Sequence, residues 1–228
     1  MLTELSKILP LTIRKKAYRL VIQMVRQHEQ ESAKKLEDKL PKIDLTKEHI
    51  KNLKILTNKA ALLDVLPKGS VAAEIGVSRG DYSEKILSIV QPQQLHLIDS
   101  WGSEPYQVKT LIEERFQKEI QSGQVLICQG ISITELEKKD DGIFDWVYID
   151  TDHSYETTAK ELALCRKKVK KGGIIAGHDY VTGAWKSNRR YGVVEAVNEF
   201  CIKYNWEMIY LTIEHHRHLS YAIREISS

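Results

Sequence analysis

Two short stretches carry side chains suited to chemistry. In "FDWVYIDTDHSYE" (residues 144–156) the apolar run Trp146, Val147, Tyr148, Ile149 stops in Asp150, Asp152 and His153. In "GIIAGHDY" (173–180) a second apolar run stops in His178 and Asp179. Carboxylates and imidazoles move protons near neutral pH and ligate divalent cations. Two carboxylate oxygens and one imidazole with open positions suit Mg²⁺, Mn²⁺ or Fe²⁺. An imidazole titrating near ~6.5 also serves as a general base. A plainer reading stands beside these: Asp150 or Asp152 could cap a helix starting near Tyr155, and the histidines could bond loop backbone. Capping accounts for one acid and leaves the His-Asp end of the second run unexplained.

A third stretch, "EIGVSRGDYS" (74–83), reads as strand, glycine turn and helix start. Gly76 and Gly80 permit a tight turn and a close approach where a Cβ would collide. The spacing E-x-G-x-x-x-G is not the G-x-G-x-x-G of dinucleotide folds. Asp99 follows Gly76 by 23 residues at the end of the next apolar run, with Ser100 beside it. An acid there can accept hydrogen bonds from both ribose hydroxyls. Glycine turn plus ribose acid points to a nucleoside-containing cofactor. No Walker lysine is present, so nucleoside triphosphate hydrolysis is not expected.

The elements that must position these residues follow from periodicity. Thr12 is placed to cap a helix whose apolar residues recur at Ile13, Ala17, Leu20, Val21, Met24 and Val25, ending before Pro41. Thr46 is placed to cap a second helix through Leu63. From Val71 short apolar runs (71–76, 95–99, 125–130, 145–150, 173–179) alternate with amphipathic stretches (82–90, 105–121, 156–169). Asp81 and Glu84 have capping-box spacing for the first of these. Strands alternating with helices predict a parallel sheet covered on both faces. A helix over 192–204 then precedes two runs, 206–214 and 218–226, joined by a short polar turn that permits only an antiparallel pair. The result is an α/β fold with seven strands, mostly parallel, one of them reversed. Ligands of such sheets bind beyond the carboxyl ends of the strands, where Glu74, Asp99, Asp150, His178 and Asp179 gather.

Bulk properties agree with one well-filled domain plus an appendage: 228 residues, 42% hydrophobic, 29% charged. No window nears the ~18 apolar residues needed to span a bilayer. Arg14, Lys15, Lys16 and Arg19 interrupt any signal-like run. Cys128, Cys165 and Cys201 lie far apart among apolar neighbours, as reduced packing residues of a cytoplasmic protein. Residues 1–60 hold 14 Lys+Arg against 7 Asp+Glu, whereas the remainder holds 20 against 24. The basic segment could meet an acidic membrane surface, a nucleic acid or an acidic partner, or be a solvated helix face. The acidic balance of the α/β region offers no phosphate track, so no nucleic-acid partner is expected.

The glycine turn, the ribose acid, the strand order and the late antiparallel strand together resemble the class I S-adenosylmethionine-dependent methyltransferases, over about residues 71–226. The resemblance implies a Rossmann-like methyltransferase domain (67–228) behind a helical N-terminal extension (1–66). It implies that the glycine loop, with Glu74, Gly76, Ser78 and Gly80, meets the amino-acid part of the cofactor, that Asp99, with Ser100 beside it, holds the ribose, and that the loop after the third strand, Gly130, Ile131 and Ser132, lines the adenine. Strands four and five are neighbours in that family, which would bring Asp150, His178 and Asp179 together. That arrangement resembles the metal-dependent O-methyltransferase branch of catechol and macrolide-sugar enzymes, with His178 a departure where an acid is usual. The branch places a general base where His153 stands. The implied function is methyl transfer to a hydroxyl of a small molecule or sugar, with a divalent metal. Rival readings are a metal-independent methyltransferase using His153, and a cofactor-binding scaffold docking through its basic helix. The resemblance also makes a homodimer through the N-terminal helices one expectation.

Three features carry less weight. "EHHRH" (214–218) falls in the turn of the antiparallel pair and reads as a polar loop. Arg189 and Arg190 could bind an anionic substrate group or form a lid. Trp101 is placed to pack against cofactor or core.

Overall fold

The computed structural model describes residues 11–102, 105–184, 189–214 and 218–226. The chain divides into two compact units, residues 1–40 and 41–228. The first is built on one helix, α1 (Leu11–Glu37), with Lys34 and Lys35 in its last turn, the end where the helix dipole favours cations. The break at Pro41 places residues 41–66, grouped with the extension on sequence pattern, in the α/β unit.

The single helix expected from Thr46 to Leu63 does not form. A 3₁₀ turn (Glu48–Ile50) leads to strand β1 (Lys54–Leu56) and a short helix, α2 (Lys59–Val65). Thr46 Oγ1 bonds His49 Nδ1 at 2.7 Å and closes a local turn instead of starting a helix. Asn58, in extended backbone, caps α2 by accepting from the Ala61 N–H at 3.0 Å. Between them, β1 pairs in parallel with a strand more than 150 residues away, Lys54 opposite Tyr210. An unpaired sheet edge is costly to leave open, and covering it outweighs a weak helical pattern.

The chain then runs β2 (Val71–Ile75), α3 (Asp81–Lys85, continued by a π turn to Val90), β3 (Gln94–Asp99), α4 (Pro105–Arg115), α5 (Gln117–Gln121), β4 (Val125–Gln129), α6 (Ser132–Glu137), β5 (Phe144–Ile149), α7 (Tyr155–Lys168) and β6 (Val169–Gly177). A small ribbon of β7 (Gly183–Ala184) and β8 (Arg189–Arg190) precedes α8 (Val193–Tyr204), β9 (Trp206–Thr212) and β10 (Tyr221–Glu225). The main sheet has the order β1-β9-β10-β6-β5-β2-β3-β4. All neighbours are parallel except β10, which is antiparallel to β6 and β9. The fold is the expected mostly parallel α/β sheet; β1 makes an eighth strand. The capping box is not formed: Asp81 and Glu84 both pair with Arg115 of α4, at 2.7 and 2.8 Å.

Strand alternation divides the core between two faces. On β5, Val147 and Ile149 join Leu162, Cys165 and Val197 on one side. Trp146 and Tyr148 join Leu62, Leu63, Ile86, Ile112 and Phe116 on the other. The three cysteines are buried and unpaired, as expected of packing residues. No helix among the described residues is long and apolar enough to cross a membrane.

The chain builds outward from β2 through β3 to β4, then returns to lay β5 on the other side of β2. Strand order therefore reverses between β2 and β5, and a crevice at that point is where open α/β sheets place ligands.

Candidate active site at the strand tips

The β2 and β5 tips touch. The Asp150 N–H donates to the Ile75 carbonyl at 2.7 Å, and the Gly76 N–H to that of Ile98 at 2.8 Å. Gly76 has φ +90°, and a Cβ there would lie 2.0 Å from the Asp150 carbonyl oxygen. Gly80 has φ +78°, and its Cβ would strike Ile112 and Phe116 at 2.8 Å. Both glycines are therefore demanded by the chain's own packing.

Asp99 holds the loop in shape. Its Oδ2 accepts from the Val77 and Ser78 N–H groups at 2.8 Å each, and its Oδ1 from the Trp101 N–H at 2.7 Å. Trp101 is buried and its indole donates to the Ser78 carbonyl at 3.0 Å. Asp99, Ser100, Ser78, Arg79 and Trp101 are among the residues lining a cavity of about 420 Å³. Glu74 lies beneath, buried, accepting from the Ser83 hydroxyl. Across the rim, Gly130 abuts Glu135, Ile131 is 67% exposed, and Ser132 opens α6. The residues suit a nucleoside: an anchored acid beside a cavity, with an exposed apolar side chain on the next loop.

The β5 and β6 tips bring together Asp150, His153 and Asp179, whose donor atoms lie within 4.8 Å of one another. His153 Nε2 is 3.1 Å from Asp179 Oδ2. His178 faces away, its Nδ1 3.1 Å from Ser220 Oγ, which also bonds the Tyr148 hydroxyl. Its Nε2 stays 3.9 Å from Asp179 Oδ1. His178 and Asp179 both lie beyond the end of β6 at Gly177, and Asp179 takes left-handed backbone at φ +58°, so the chain turns there and the two side chains part. His153, also at positive φ, occupies the third place. Burial, with help from Lys59, lowers the His178 pKa to about 3, so it is neutral at physiological pH. Ser154, not Asp152, caps α7, accepting from the Thr157 N–H at 3.2 Å. Asp152 braces the turn before the helix, accepting from the Ser154 N–H and the Thr157 hydroxyl at 2.9 Å each. Asp150 does not cap.

Three contributors went unread in the sequence. His218 bonds Asp179 Oδ1 through Nδ1; its signal was the "EHHRH" stretch, of which residues 215–217 lie outside the described residues. Lys59 Nζ stands 3.7 Å from Asp150 Oδ2. Its signal was a cation in a first helical turn, where the dipole disfavours one. Glu161 of α7 is fully buried, takes the Thr151 hydroxyl at 2.9 Å and lies beside Ser132. Burial raises its pKa to about 7. Arg189 donates to the Asp152 carbonyl at 2.6 Å, and Arg190 pairs with Glu195; residues 185–188 of that loop lie outside the described residues.

Six described non-glycine residues have positive φ, and four belong to this rim: Ser78, Trp101, His153 and Asp179. Such backbone is sparsely populated and collects at functional sites.

Burial raises the Glu74 pKa from 4.5 to about 8, the Asp150 and Asp99 charges adding to it while Ser83 and Lys59 oppose. The folded state thus keeps a proton that the unfolded chain releases near 4.5. The resulting stabilisation is complete below about 4.5 and is lost as pH rises through about 8. Glu74→Gln removes that dependence. Denaturant unfolding at pH 5 and pH 8 should show wild type losing stability relative to the variant; parallel losses would exclude Glu74 as the titrating group.

Residues 73–180 match the family model described as "Methyltransferase domain". Compared with curated proteins, the chain has no match in sequence. Among solved structures it is similar to the pyocyanin biosynthetic protein PhzM, at TM-score 0.55 and 12% identity over 70% of this chain and 51% of that one. It is also similar to Aeropyrum pernix fibrillarin with natively bound S-adenosyl-L-methionine, at 0.54 and 13% over 72% of each chain. A B. subtilis tRNA methyltransferase, TrmK, matches at 0.55 and 14% over 76% of this chain and 67% of that one. The chain spans about half the length of the first of these structures. The likeness is one of fold. The family match, over residues 73–180, is to a methyltransferase domain.

Proposed function

We propose that the protein transfers a methyl group from S-adenosylmethionine to a hydroxyl of a small molecule or sugar, assisted by a divalent metal. The observation carrying this reading is the convergence of Asp150, His153 and Asp179 within 4.8 Å at the tips of two adjacent strands. Two carboxylates and an imidazole are a donor set for Mg²⁺, Mn²⁺ or Fe²⁺, and these three residues would hold the ion. When bound, the cofactor supplies a methyl on a sulfonium and the cation supplies positive charge for the acceptor oxygen.

The chain's own residues do the rest. Asp99 and Trp101 fix the glycine loop and the ribose side. The strand tips align acceptor and cofactor, and orientation of this kind supplies up to ~7–11 kcal/mol. As the new C–O bond forms and the C–S bond breaks, S-adenosylhomocysteine leaves and the acceptor's hydroxyl proton passes to water.

The contact of 3.1 Å between His153 Nε2 and Asp179 Oδ2 favours a second reading, without metal. There Asp179 orients the imidazole, and the other ring nitrogen takes the proton.

A panel of hydroxylated acceptors, assayed with EDTA and with metal added back, tests both. The leading reading expects O-methylated product, loss with EDTA and recovery with Mg²⁺, Mn²⁺ or Fe²⁺. Activity that survives EDTA but falls about 10²–10⁴-fold in His153→Ala selects the second. Full activity under both treatments overturns both. Turnover retained after deletion of residues 1–40, with loss of membrane association or of a dimer, would assign the basic segment to docking.

A further inference from the structure

We propose that Lys59 binds the carboxylate of the cofactor's methionine moiety, an inference that rests on the reading of this site as an S-adenosylmethionine site. Lys59 lies outside the matched region 73–180 and enters from α2, the helix that follows the added edge strand. Its side chain is 18% exposed, so the ammonium has left most of its water. A partly buried ammonium needs close acceptors. Lys59 instead sits 3.7 Å from Asp150 Oδ2, an ion-pair contact too long for a full hydrogen bond. Otherwise it lies over two aromatic rings, 4.7 Å from the centroid of Tyr82 and 5.6 Å from that of Tyr148. Among the described residues this one ion pair and the two rings hold its Nζ, which lies beside the reversal of strand order.

The sheet says what would lie there. The cavity at Asp99 belongs to β3, and the proton-handling cluster belongs to β5 and β6. The order β6-β5-β2-β3 puts the β2 tip between them. A cofactor with its ribose at Asp99 and its methyl near His153 must hold its sulfur over β2. The amino-acid arm, which branches from that sulfur, then lies against the β2 and β5 tips, beside Asp150 and Tyr82. That arm carries one ammonium and one carboxylate. The rim offers acids to the ammonium, and Lys59 is the cation placed for the carboxylate. The rings of Tyr82 and Tyr148 flank the ammonium itself, a cation–π contact that uses the ring faces and no carboxylate oxygen. A carboxylate on the methyl acceptor would present the same chemistry, and the experiment separates the two sources.

Binding of S-adenosylhomocysteine, and of the same thioether lacking only its carboxylate, would be measured by calorimetry for wild type, Lys59→Met and Lys59→Arg. Lys59→Met should weaken S-adenosylhomocysteine by about 10–100-fold, the worth of a hydrogen bond to a charged group, and leave the decarboxylated ligand unchanged. Lys59→Arg should recover most of the loss. Unchanged decarboxylated binding also shows that the variant is folded. Equal loss for both ligands, or none for either, overturns the assignment. Wild-type affinity for S-adenosylhomocysteine in Lys59→Met, with KM raised only for carboxylated acceptors, moves Lys59 to the acceptor and also overturns it. A wild-type protein that binds neither ligand sinks the cofactor reading itself, and this inference with it.

Discussion

Turnover by Asp179→Asn is expected to fall about 10²–10⁴-fold, with affinity for S-adenosylhomocysteine nearly unchanged. Asp179 is the group the tips share. Its Oδ2 lies 3.1 Å from His153 Nε2, and its Oδ1 bonds His218. It is also buried, at 4% exposure, so little water stands in for a lost partner. Asparagine keeps the shape but removes the charge, and its amide can accept through only one of the two positions. It weakens a cation site and frees His153 to adopt the wrong tautomer, so the loss is expected under either reading. Backbone strain does not confound the test. Asp179 has φ +58°, a conformation that asparagine tolerates as well as aspartate. Single-turnover rates with calorimetric binding separate chemistry from affinity. Residues acting as one unit are not additive, so Asp179→Asn in a His153→Ala background should cost little more. An Asp179→Asn enzyme within a few-fold of wild type would remove Asp179 from the mechanism.

Gly76→Ala should be the most destabilising of the small substitutions. The new Cβ would lie 2.0 Å from the Asp150 carbonyl oxygen, 2.6 Å from its carbon and 3.2 Å from the Thr151 nitrogen, at a residue with φ +90°. All three atoms are backbone, so nothing flexible can give way. The β2 and β5 tips must part, and the ladder bond from Asp150 to Ile75 goes with them. A loss of about 3–5 kcal/mol is expected. In a chain of this size that lowers the melting temperature by about 2–4 °C per kcal/mol. Gly69→Ala is the control: φ is +60° there, but nothing lies within 4 Å of the added carbon. Its cost should be near 1 kcal/mol, from conformation alone. Equal melting temperatures for the two variants would show that the tips are not in contact as described.

The strand tips also show where sequence reading stops. The apolar runs that became β2 to β6, and the acids ending them, were legible because burial on both faces of a parallel sheet writes itself as short continuous apolar segments. The glycine turn and Asp99 were legible because positive φ and a strand-end acid are local properties. By itself the sequence therefore determined the α/β class, the reversed strand, and the rim on which polar residues collect.

Tertiary structure decided which of those residues meet. His178 and Asp179 are neighbours in the chain, yet just past the end of β6 the backbone turns left-handed at Asp179, and one side chain meets Ser220 while the other meets His153. Asp81 and Glu84 had the spacing of a cap, but Arg115 from another helix claims both. Lys54–Leu56 carried a weak helical pattern until an open sheet edge gave it a strand partner. Lys59 and His218 enter the site from elements on opposite sides of the matched region, and no local pattern records a contact over such a separation. Periodicity, caps and turns are written within a few residues of each other. The partner of a side chain is chosen by whatever the sheet order brings alongside it.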